Sequence, residues 1–263
     1  MTASCLTSRP LASGGRLPKG FTLHHVACLG STNDQANQMA EEGAPSGTIV
    51  LADRQTSGRG RLGRHWTSPA GNLYASVILK LDCPPQASAG LSLLTAVALG
   101  EALVELGPDH LDLALKWPND LLIKGAKVAG ILLENAANAG GREPFIIIGT
   151  GVNIRSCPTN ADYPTTCLDR AGFPSISPME LLNAYTTRLD VWLGRWKSEG
   201  FSVVREAWRS RAYKLGGPIR LRLEQQEIDG VFVDLSEGGA LVIEQADGRR
   251  REISAGDVVF PDR

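Results

Sequence analysis

The chain has 263 residues, a formal net charge of −1 and 21% charged residues, an ordinary composition for a globular protein with one large core and a small second domain. This near-neutral charge argues against a protein that coats DNA or RNA, so we expect no nucleic-acid partner. No apolar run approaches the roughly 18 residues that a membrane span requires, and we expect no membrane partner.

The N-terminal segment is polar, rich in glycine and proline, and lacks the apolar stretch of a signal peptide. We therefore predict a flexible leader over residues 1–24 and a cytoplasmic location. The five cysteines show no C-x-x-C spacing, and the four histidines show no i, i+4 pairing. Free thiols are expected, and a zinc site held by the protein alone is not.

Helix and strand patterns alternate after the leader. The predicted helices carry a capping signal or a glycine stop, and they cover residues 31–43, 87–106, 177–200 and 201–216. The predicted strands are short apolar runs bounded by turn signals, and they cover residues 47–53, 72–80, 111–117, 120–124, 127–134 and 143–154. Ser31 or Thr32 is expected to cap the first helix. Ser177 and Glu180, around Pro178, form a capping box for the third helix.

The pattern changes at Gly216-Gly217-Pro218, a plausible domain boundary. Beyond it, short alternating strands are joined by tight turns, which is typical of a small β-barrel. We therefore predict a larger domain over residues 25–215 and a barrel domain over 216–263. Residues 217–263 contain six arginines and ten acidic residues, so nucleic-acid binding is not the default interpretation of this barrel.

The segment SGRGRLGRHW (57–66) is the most unusual stretch of the chain. Its glycines fit the pattern G-x-G-x-x-G, but a dinucleotide site requires a helix directly after the third glycine. Pro69, Gly71 and a predicted strand follow here instead. A P-loop is excluded as well, because no Lys-Ser/Thr pair follows the glycines. A basic nucleic-acid patch that includes Trp66 and Tyr74, or a solvated loop without a function, stays open at this point.

Other polar or glycine-rich segments fall near the ends of predicted strands. They are GSTND (30–34), KWPND (116–120), KVAGILLE (127–134) and GTGVN (149–153). Together with the arginine loop they supply cations and bare backbone that suit a small anionic substrate and a nucleotide polyphosphate held together. One carboxylate could help to hold Mg²⁺ on the triphosphate, and Asp120 is the candidate.

The motifs GRGRxGRxW, KWPND and K-x-A-G-I-L-x-E, in this order and spacing, resemble those of the biotin protein ligases. The resemblance covers roughly residues 25 to 262. It implies an α+β fold in which a mixed, mainly antiparallel sheet carries helices on one side, as in class II aminoacyl-tRNA synthetase cores. A small C-terminal SH3-like β-barrel completes the expected architecture.

The resemblance also implies a two-step ligase reaction. Biotin and ATP, with Mg²⁺, would give biotinyl-5′-AMP and pyrophosphate, and the biotinyl group would pass to one lysine of a biotin carboxyl carrier protein of acetyl-CoA carboxylase or a related carboxylase. Some relatives form dimers through the central sheet, so a homodimer is compatible with the resemblance. Some also carry an N-terminal DNA-binding module. The stretch before the core is too short for that module, and we expect no repressor function.

Site residues follow from the same motifs. The expected catalytic groups are Lys127, Arg59 and Lys116. The expected biotin-binding residues are Ser31, Thr32, Asn33, Gln55, Gly58, Arg59, Gly60, Arg61, Lys127, Gly130, Ile131, Gly149 and Gly151. The expected ATP and adenylate contacts are Arg59, Arg61, Arg64, Trp66 (stacked on adenine), Lys116, Asn119, Asp120 and Asn153, with Asp120 also near Mg²⁺.

Simpler interpretations stay open for several of these residues. Trp66 could be a core residue, Asp120 a turn former, and Lys116 and Lys127 solubilising charges at strand edges. Cys167 stands where the family pattern leads us to expect a serine, which leaves the details of its loop open. Rival functions are a lipoyl or octanoyl transferase of the same superfamily, whose loop pattern differs, and a protein that binds biotin or its adenylate without activating it.

Overall fold

The computed structural model describes residues 17–80, 88–137, 144–223 and 226–260. Within them the helices are α1 (Thr32–Glu41), α2 (Ser88–Leu106), α3 (Pro178–Glu199) and α4 (Ser202–Arg209). The strands are β1 (Thr22–Leu29), β2 (Thr48–Gln55), β3 (Leu73–Lys80), β4 (Leu113–Lys116), β5 (Asp120–Ile123), β6 (Ala126–Ala137), β7 (Pro144–Val152), β8 (Pro218–Arg222), β9 (Glu227–Leu235), β10 (Leu241–Glu244), β11 (Arg250–Ile253) and β12 (Asp257–Val259). Most of the predicted leader, the first residue of the second predicted helix, and Cys5 and Cys83 lie outside the described residues.

The larger sheet has seven strands in the order β1-β2-β3-β7-β6-β5-β4. Its described pairs are antiparallel except for the parallel pair β1–β2. The predicted mixed, mainly antiparallel sheet is confirmed. The neighbouring strands β3 and β7 pair from Leu73–Val152 to Lys80–Phe145, and the end of β7 carries Gly149 and Gly151, which open the site.

The edge strand β1 is missing from the sequence-based prediction, which assigns residues up to 24 to the leader. Thr22 pairs with Thr48 of β2. The sheet, and not a leader, therefore contains Thr22 to His24, which corrects that boundary. Two adjacent histidines interrupt the apolar pattern of the strand, but His25 gains a partner on β2, since its Nε2 lies 2.7 Å from Asp53 Oδ1.

Helices cover both faces of this sheet, so the expectation of helices on one side is wrong. Ile49 and Leu51 of β2 join the large core formed with α2, α3 and α4. Val50 between them points to the opposite face and packs in a smaller cluster with Ala36 and Ala40 of α1. Because side chains alternate along a strand, apolar residues at successive positions require an apolar layer on each face.

The ends of the helices agree with the sequence-based prediction in one case and differ from it in two. Ser31 occupies the N-cap position of α1, but its side chain makes no capping hydrogen bond. The predicted capping box of α3 is confirmed, since Glu180 N donates to Ser177 Oγ at 3.2 Å and Ser177 N donates to Glu180 Oε2 at 2.8 Å. The helix predicted over 201–216 ends at Arg209 because the following backbone bonds to β4 instead, through Leu115.

The smaller sheet is antiparallel, with the strand order β11-β10-β9-β8-β12. Its apolar face shares the large core with the helices, where Trp208 meets Phe232 edge to face at 6.4 Å. Trp117 Nε1 also donates to Gly239 O at 3.2 Å. The two sheets are therefore packed together, and β12 borders a cleft between them and the arginine loop. None of the described helices is long and apolar enough to cross a membrane.

Candidate functional site

A cleft of about 560 Å³ opens between the arginine loop, the ends of β3, β6 and β7, and the segment around β12. It brings together most of the residues predicted from the motifs. These are Ser31, Thr32, Asn33, Gln55, Arg59, Gly60, Arg61, Arg64, Trp66, Lys116, Asn119, Asp120, Lys127, Gly130, Ile131, Gly149 and Gly151. Gly58 and Asn153 are the two predicted site residues that do not line it.

One end of the cleft is built around the N-terminus of α1. Ser31, Thr32 and Asn33 are all buried there. Thr32 is fixed by Gln55, whose Oε1 accepts from the Thr32 backbone N at 2.7 Å. Ser76 Oγ donates to Asn33 Oδ1 at 2.6 Å and lies 2.8 Å from Thr32 Oγ1. The result is a small, prearranged set of hydroxyl and amide groups at the positive end of a helix dipole.

Glycines form the floor of the cleft because side chains would fill it. Gly151 of β7 pairs with both Tyr74 of β3 and Gly130 of β6. A Cβ at Gly151 would lie 2.7 Å from Trp66 Nε1, and one at Gly149 would collide with the Asn33 amide. The indole of Trp66 therefore lies directly over the strand backbone. Its Nε1 is buried and has no hydrogen-bond partner within the described residues.

Lys127 lies at the centre of the cleft. Its Nζ is 2.6 Å from Asp120 Oδ1, and these side chains are only 14% and 17% exposed. The same ammonium lies 5.4 Å from the centroid of Trp66 and 5.2 Å from that of Tyr163. Aromatic faces and a carboxylate thus hold a charged lysine in a largely dry position, where its field acts strongly on a bound anion.

Lys116 supplies a second cation, at the end of β4. Burial lowers the pKa of its ammonium below the ordinary lysine value, although the Asp120 carboxylate opposes this shift. Lys116 pairs in register with Asp120 across the β4–β5 turn. This hairpin, which contains the cis peptide Trp117–Pro118, therefore presents a lysine and an aspartate side by side. Neither Lys116 nor Lys127 is a solvated strand-edge charge.

The arginine loop is folded into a small hairpin. Arg59 pairs with His65 across it, and Leu62 at its tip has a left-handed φ of 55°. No helix follows its last glycine, as expected from the exclusion of a dinucleotide site. Gly58 is buried beneath the hairpin, where a Cβ would lie 2.5 Å from Ser68 Oγ and from Trp66 O. Gly58 is thus required for close packing rather than exposed to the cleft.

The arginines of the hairpin contact two walls of the cleft, with Arg59 on one side and Arg61 and Arg64 on the other. Arg59 Nη2 lies 2.5 Å from Asp34 Oδ1 and 3.1 Å from Glu134 Oε2. Arg64 Nη2 makes two contacts of 2.7 Å with the Asp257 carboxylate. The hairpin is therefore tied to α1 and β6 on one side and to the smaller sheet on the other.

Two predicted asparagines support the site through the backbone. Asn119 Nδ2 donates to Ile131 O at 2.7 Å, which fixes the β4–β5 turn against β6. Asn153 is buried, and its Nδ2 donates to Thr166 O at 3.1 Å. Asn153 thus anchors the segment that precedes Cys167 and does not face the cleft. Cys167 itself is buried as well.

Several residues that line the cleft or hold its lining were not assigned from the sequence. Glu134, the last letter of the quoted K-x-A-G-I-L-x-E motif, accepts from Asn33 Nδ2 at 2.7 Å as well as from Arg59. Its place in the motif was an available signal. Tyr163, Lys214 and Phe260 come from loops or chain segments without a local pattern, so only the fold brings them to the site.

The described residues contain no group of three or more His, Cys, Asp or Glu side chains that could hold a metal ion. Asp120 is a single carboxylate and already contacts Lys127. It fits the role of one oxygen ligand to an ion that a bound triphosphate carries, which is how Mg²⁺ usually binds, and not that of a metal cage.

Comparisons with known proteins agree with this geometry. Residues 26–153 match the Biotin/lipoate A/B protein ligase family, and residues 214–260 match the Biotin protein ligase C terminal domain. The biotin--[acetyl-CoA-carboxylase] ligase of Paracoccus denitrificans is 37% identical over 242 residues, which cover 89% of this chain and 99% of that protein.

Two solved structures show the same architecture. The biotin protein ligase from Aquifex aeolicus in complex with biotin and ATP has a TM-score of 0.77 at 30% identity, and the match covers 90% of this chain and 97% of that one. The Leishmania major enzyme in complex with biotinyl-5-AMP has a TM-score of 0.63 at 30% identity, over 89% and 98% of the two chains. The chain belongs to the biotin protein ligase family, a family of enzymes of the ligase class.

Proposed function

We propose that the chain forms biotinyl-5′-AMP from biotin and ATP and then transfers the biotinyl group to a lysine of a biotin carboxyl carrier protein. The observation that carries this proposal is the position of Lys127, a partly buried ammonium at the centre of a cleft with a hydroxyl-lined end and a cationic end. Relatives named for this reaction and solved with its ligands support it.

In the first step a carboxylate oxygen of biotin attacks the α-phosphorus of ATP. The bond between the α-phosphorus and the bridging oxygen breaks, and pyrophosphate leaves with the electron pair. Two anions must approach each other, so charge neutralisation and positioning supply most of the catalysis. Lys127 would neutralise the reacting oxygens, with Lys116 and the hairpin arginines around the phosphates.

The remaining roles divide along the cleft. Ser31, Thr32 and Asn33 would bind the ureido end of biotin. The Ser31 hydroxyl makes no capping hydrogen bond to α1 and is available for that purpose. Trp66, whose Nε1 has no hydrogen-bond partner among the described residues, would contact the nucleotide. Mg²⁺ would arrive on the triphosphate, with Asp120 as one neighbouring oxygen ligand.

In the second step the amine of the acceptor lysine attacks the acyl carbon, and AMP leaves. The hairpin that carries Arg59 would shield the mixed anhydride from water until that attack. The carrier would be the biotin carboxyl carrier protein of acetyl-CoA carboxylase or a related carboxylase. We place the reaction in the cytoplasm, in keeping with Cys28, Cys157 and Cys167, which form no disulfide within the described part of the chain.

Biotin-dependent exchange of labelled pyrophosphate into ATP tests the first step. The native chain should catalyse this exchange, and Lys127→Ala should lower its rate about 10²- to 10³-fold, the usual cost of removing one charge-stabilising group. Exchange that depends on lipoate or octanoate rather than biotin would favour a lipoyl or octanoyl transferase. Absence of exchange with all three acids would refute the ligase proposal.

A further inference from the structure

A second cationic region of the cleft surrounds Phe260, just after β12. The Nζ of Lys116 is 5.7 Å from the centroid of the Phe260 ring, and the Nζ of Lys214 is 5.4 Å from it. Tyr213 meets the same ring edge to face at 4.9 Å. One aromatic ring of the smaller domain thus holds two ammonium groups that come from distant parts of the chain.

These two lysines differ from the other cations of the cleft. The nearest carboxylate lies within 4.0 Å of each of four others, which are Arg59, Arg61, Arg64 and Lys127. Lys116 and Lys214 form no ion pair with a carboxylate of the described residues, since Asp120 pairs with Lys127 and Asp257 with Arg61 and Arg64. Asp120 and Asp257 act on the charge of Lys116 only from a longer distance. An aromatic face compensates a positive charge only in part. The pair therefore keeps a positive charge that is only partly compensated, which favours an added anion.

The backbone conformation of Lys214 supports the same conclusion. Its φ is 54°, a left-handed conformation that is uncommon for a residue with a β-carbon. The surrounding chain enforces it, since Gly217 N donates to Lys214 O at 2.9 Å and Tyr213 N donates to Leu115 O at 2.8 Å. This strained turn brings an exposed lysine to the rim of the cleft.

We propose that Lys214 binds the β- and γ-phosphates of ATP beside Lys116, and that Phe260 is the positioning residue for both ammonium groups. This inference rests on the proposed function. Lys127 lies at the reacting oxygens, and its charge acts on that of Lys116. A triphosphate that leaves the reacting centre past Lys116 reaches Lys214 and Phe260. When the α–β bond breaks, these two lysines stabilise the charge on the pyrophosphate.

The test compares three ligands by calorimetry with the full chain. They are ATP, inorganic pyrophosphate, and a stable biotinyl-adenylate analogue that lacks the β- and γ-phosphates. Lys214→Gln keeps the β-carbon, and thus the backbone strain, but removes the charge. It should weaken ATP and pyrophosphate about tenfold, the usual effect of losing one charge-assisted contact, and leave the analogue within about twofold of the native value.

Three variants complete the design. Lys214→Arg should restore pyrophosphate binding. Phe260→Leu should weaken ATP and pyrophosphate but not the analogue. Lys197→Gln, at an exposed position of α3, is the matched control and should leave all three affinities unchanged.

Unchanged pyrophosphate affinity in Lys214→Gln overturns the inference, and so does an equal loss for all three ligands, which would indicate a structural role. Because calorimetry needs no turnover, this result is separate from the exchange assay. If the native chain catalyses exchange but Lys214→Gln binds pyrophosphate with native affinity, the subsite alone is rejected. Absence of exchange in the native chain would reject the proposed function.

Discussion

Lys127 Nζ and Asp120 Oδ1 lie 2.6 Å apart at the centre of the cleft, with 14% and 17% of their side chains exposed. The two residues face each other from neighbouring strands, β6 and β5. Asp120 keeps an otherwise costly charge stable in a poorly solvated place. An arriving phosphate or carboxylate would compete with Asp120 for the same ammonium, so this ion pair links stability to substrate binding.

Replacement of Asp120 by Asn should reveal this link. Loss of one partner leaves the Lys127 charge without compensation, so the free energy of unfolding should fall by about 2–3 kcal/mol, slightly below the range for fully buried pairs. Urea denaturation of the native and variant chains measures the change. Addition of ATP should raise the free energy of unfolding more in Asp120→Asn than in the native chain.

The matched control is Asp169→Asn, which disrupts the exposed Arg155–Asp169 pair at 2.9 Å. A surface pair contributes about 0–1 kcal/mol, so this variant should remain close to the native stability. Equal effects of the two aspartate substitutions would contradict the special role of the pair in the cleft.

Gly149 is the glycine whose replacement should most directly affect biotin. A Cβ at this position would collide with the Asn33 amide, which Ser76 and Glu134 hold in place. Gly149→Ala should therefore weaken biotin binding by at least about fivefold, since a displaced polar contact costs about 1–3 kcal/mol. Equilibrium binding of biotin in the absence of ATP measures this effect.

Gly194 provides the opposite case, on the exposed side of α3. A Cβ there meets nothing within 4 Å. Gly194→Ala should leave biotin binding intact and raise the free energy of unfolding by about 0.5–1 kcal/mol, because alanine loses less backbone entropy in a helix. A biotin defect in this variant as well would show that the assay reports general stability.

Most of the cleft residues that the sequence singles out belong to motifs, because each motif is local. GRGRLGR, KWPND and KVAGILLE each lie within a single turn or strand, so the residue types required at each position are visible in order. Asp257, Lys214 and Tyr163 have no such pattern and reach the cleft only when the sheets pack together. The strand β1 escaped prediction for a related reason, since its two histidines depend on a neighbouring strand for their environment.

Asp257 should control how firmly the hairpin covers the cleft. Its carboxylate accepts both contacts of Arg64 Nη2 at 2.7 Å, and this contact links the hairpin to the smaller sheet. The pair is partly exposed, so its loss should cost about 1 kcal/mol. In Asp257→Asn, biotinyl-5′-AMP should therefore escape or hydrolyse about fivefold faster in the absence of an acceptor protein.

Release of labelled AMP from the preformed complex measures that rate. Asp247→Asn serves as the control. The Arg249–Asp247 pair, with a contact of 3.5 Å, is highly exposed, and we assign it no part in covering the cleft. Retention of the adenylate at the native rate in Asp257→Asn would show that Arg64 does not hold the hairpin through this contact.

The pH dependence of ATP binding should report Lys116. Burial lowers the pKa of its ammonium below 10.5, so the folded chain loses this proton at a lower pH than the unfolded chain. Between the two pKa values the unfolded state binds more protons, and stability rises with pH through this group. ATP affinity changes in the opposite direction, because a neutral Lys116 no longer attracts phosphate.

ATP affinity should therefore decline from neutral pH toward the ordinary lysine value, and ATP binding in that range should take up a proton. Calorimetry in buffers of different ionisation enthalpy measures both quantities. Lys116→Arg keeps its charge throughout this range, so its ATP affinity should stay level where that of the native chain declines. A parallel decline in both proteins would assign the titration to another group of the cleft.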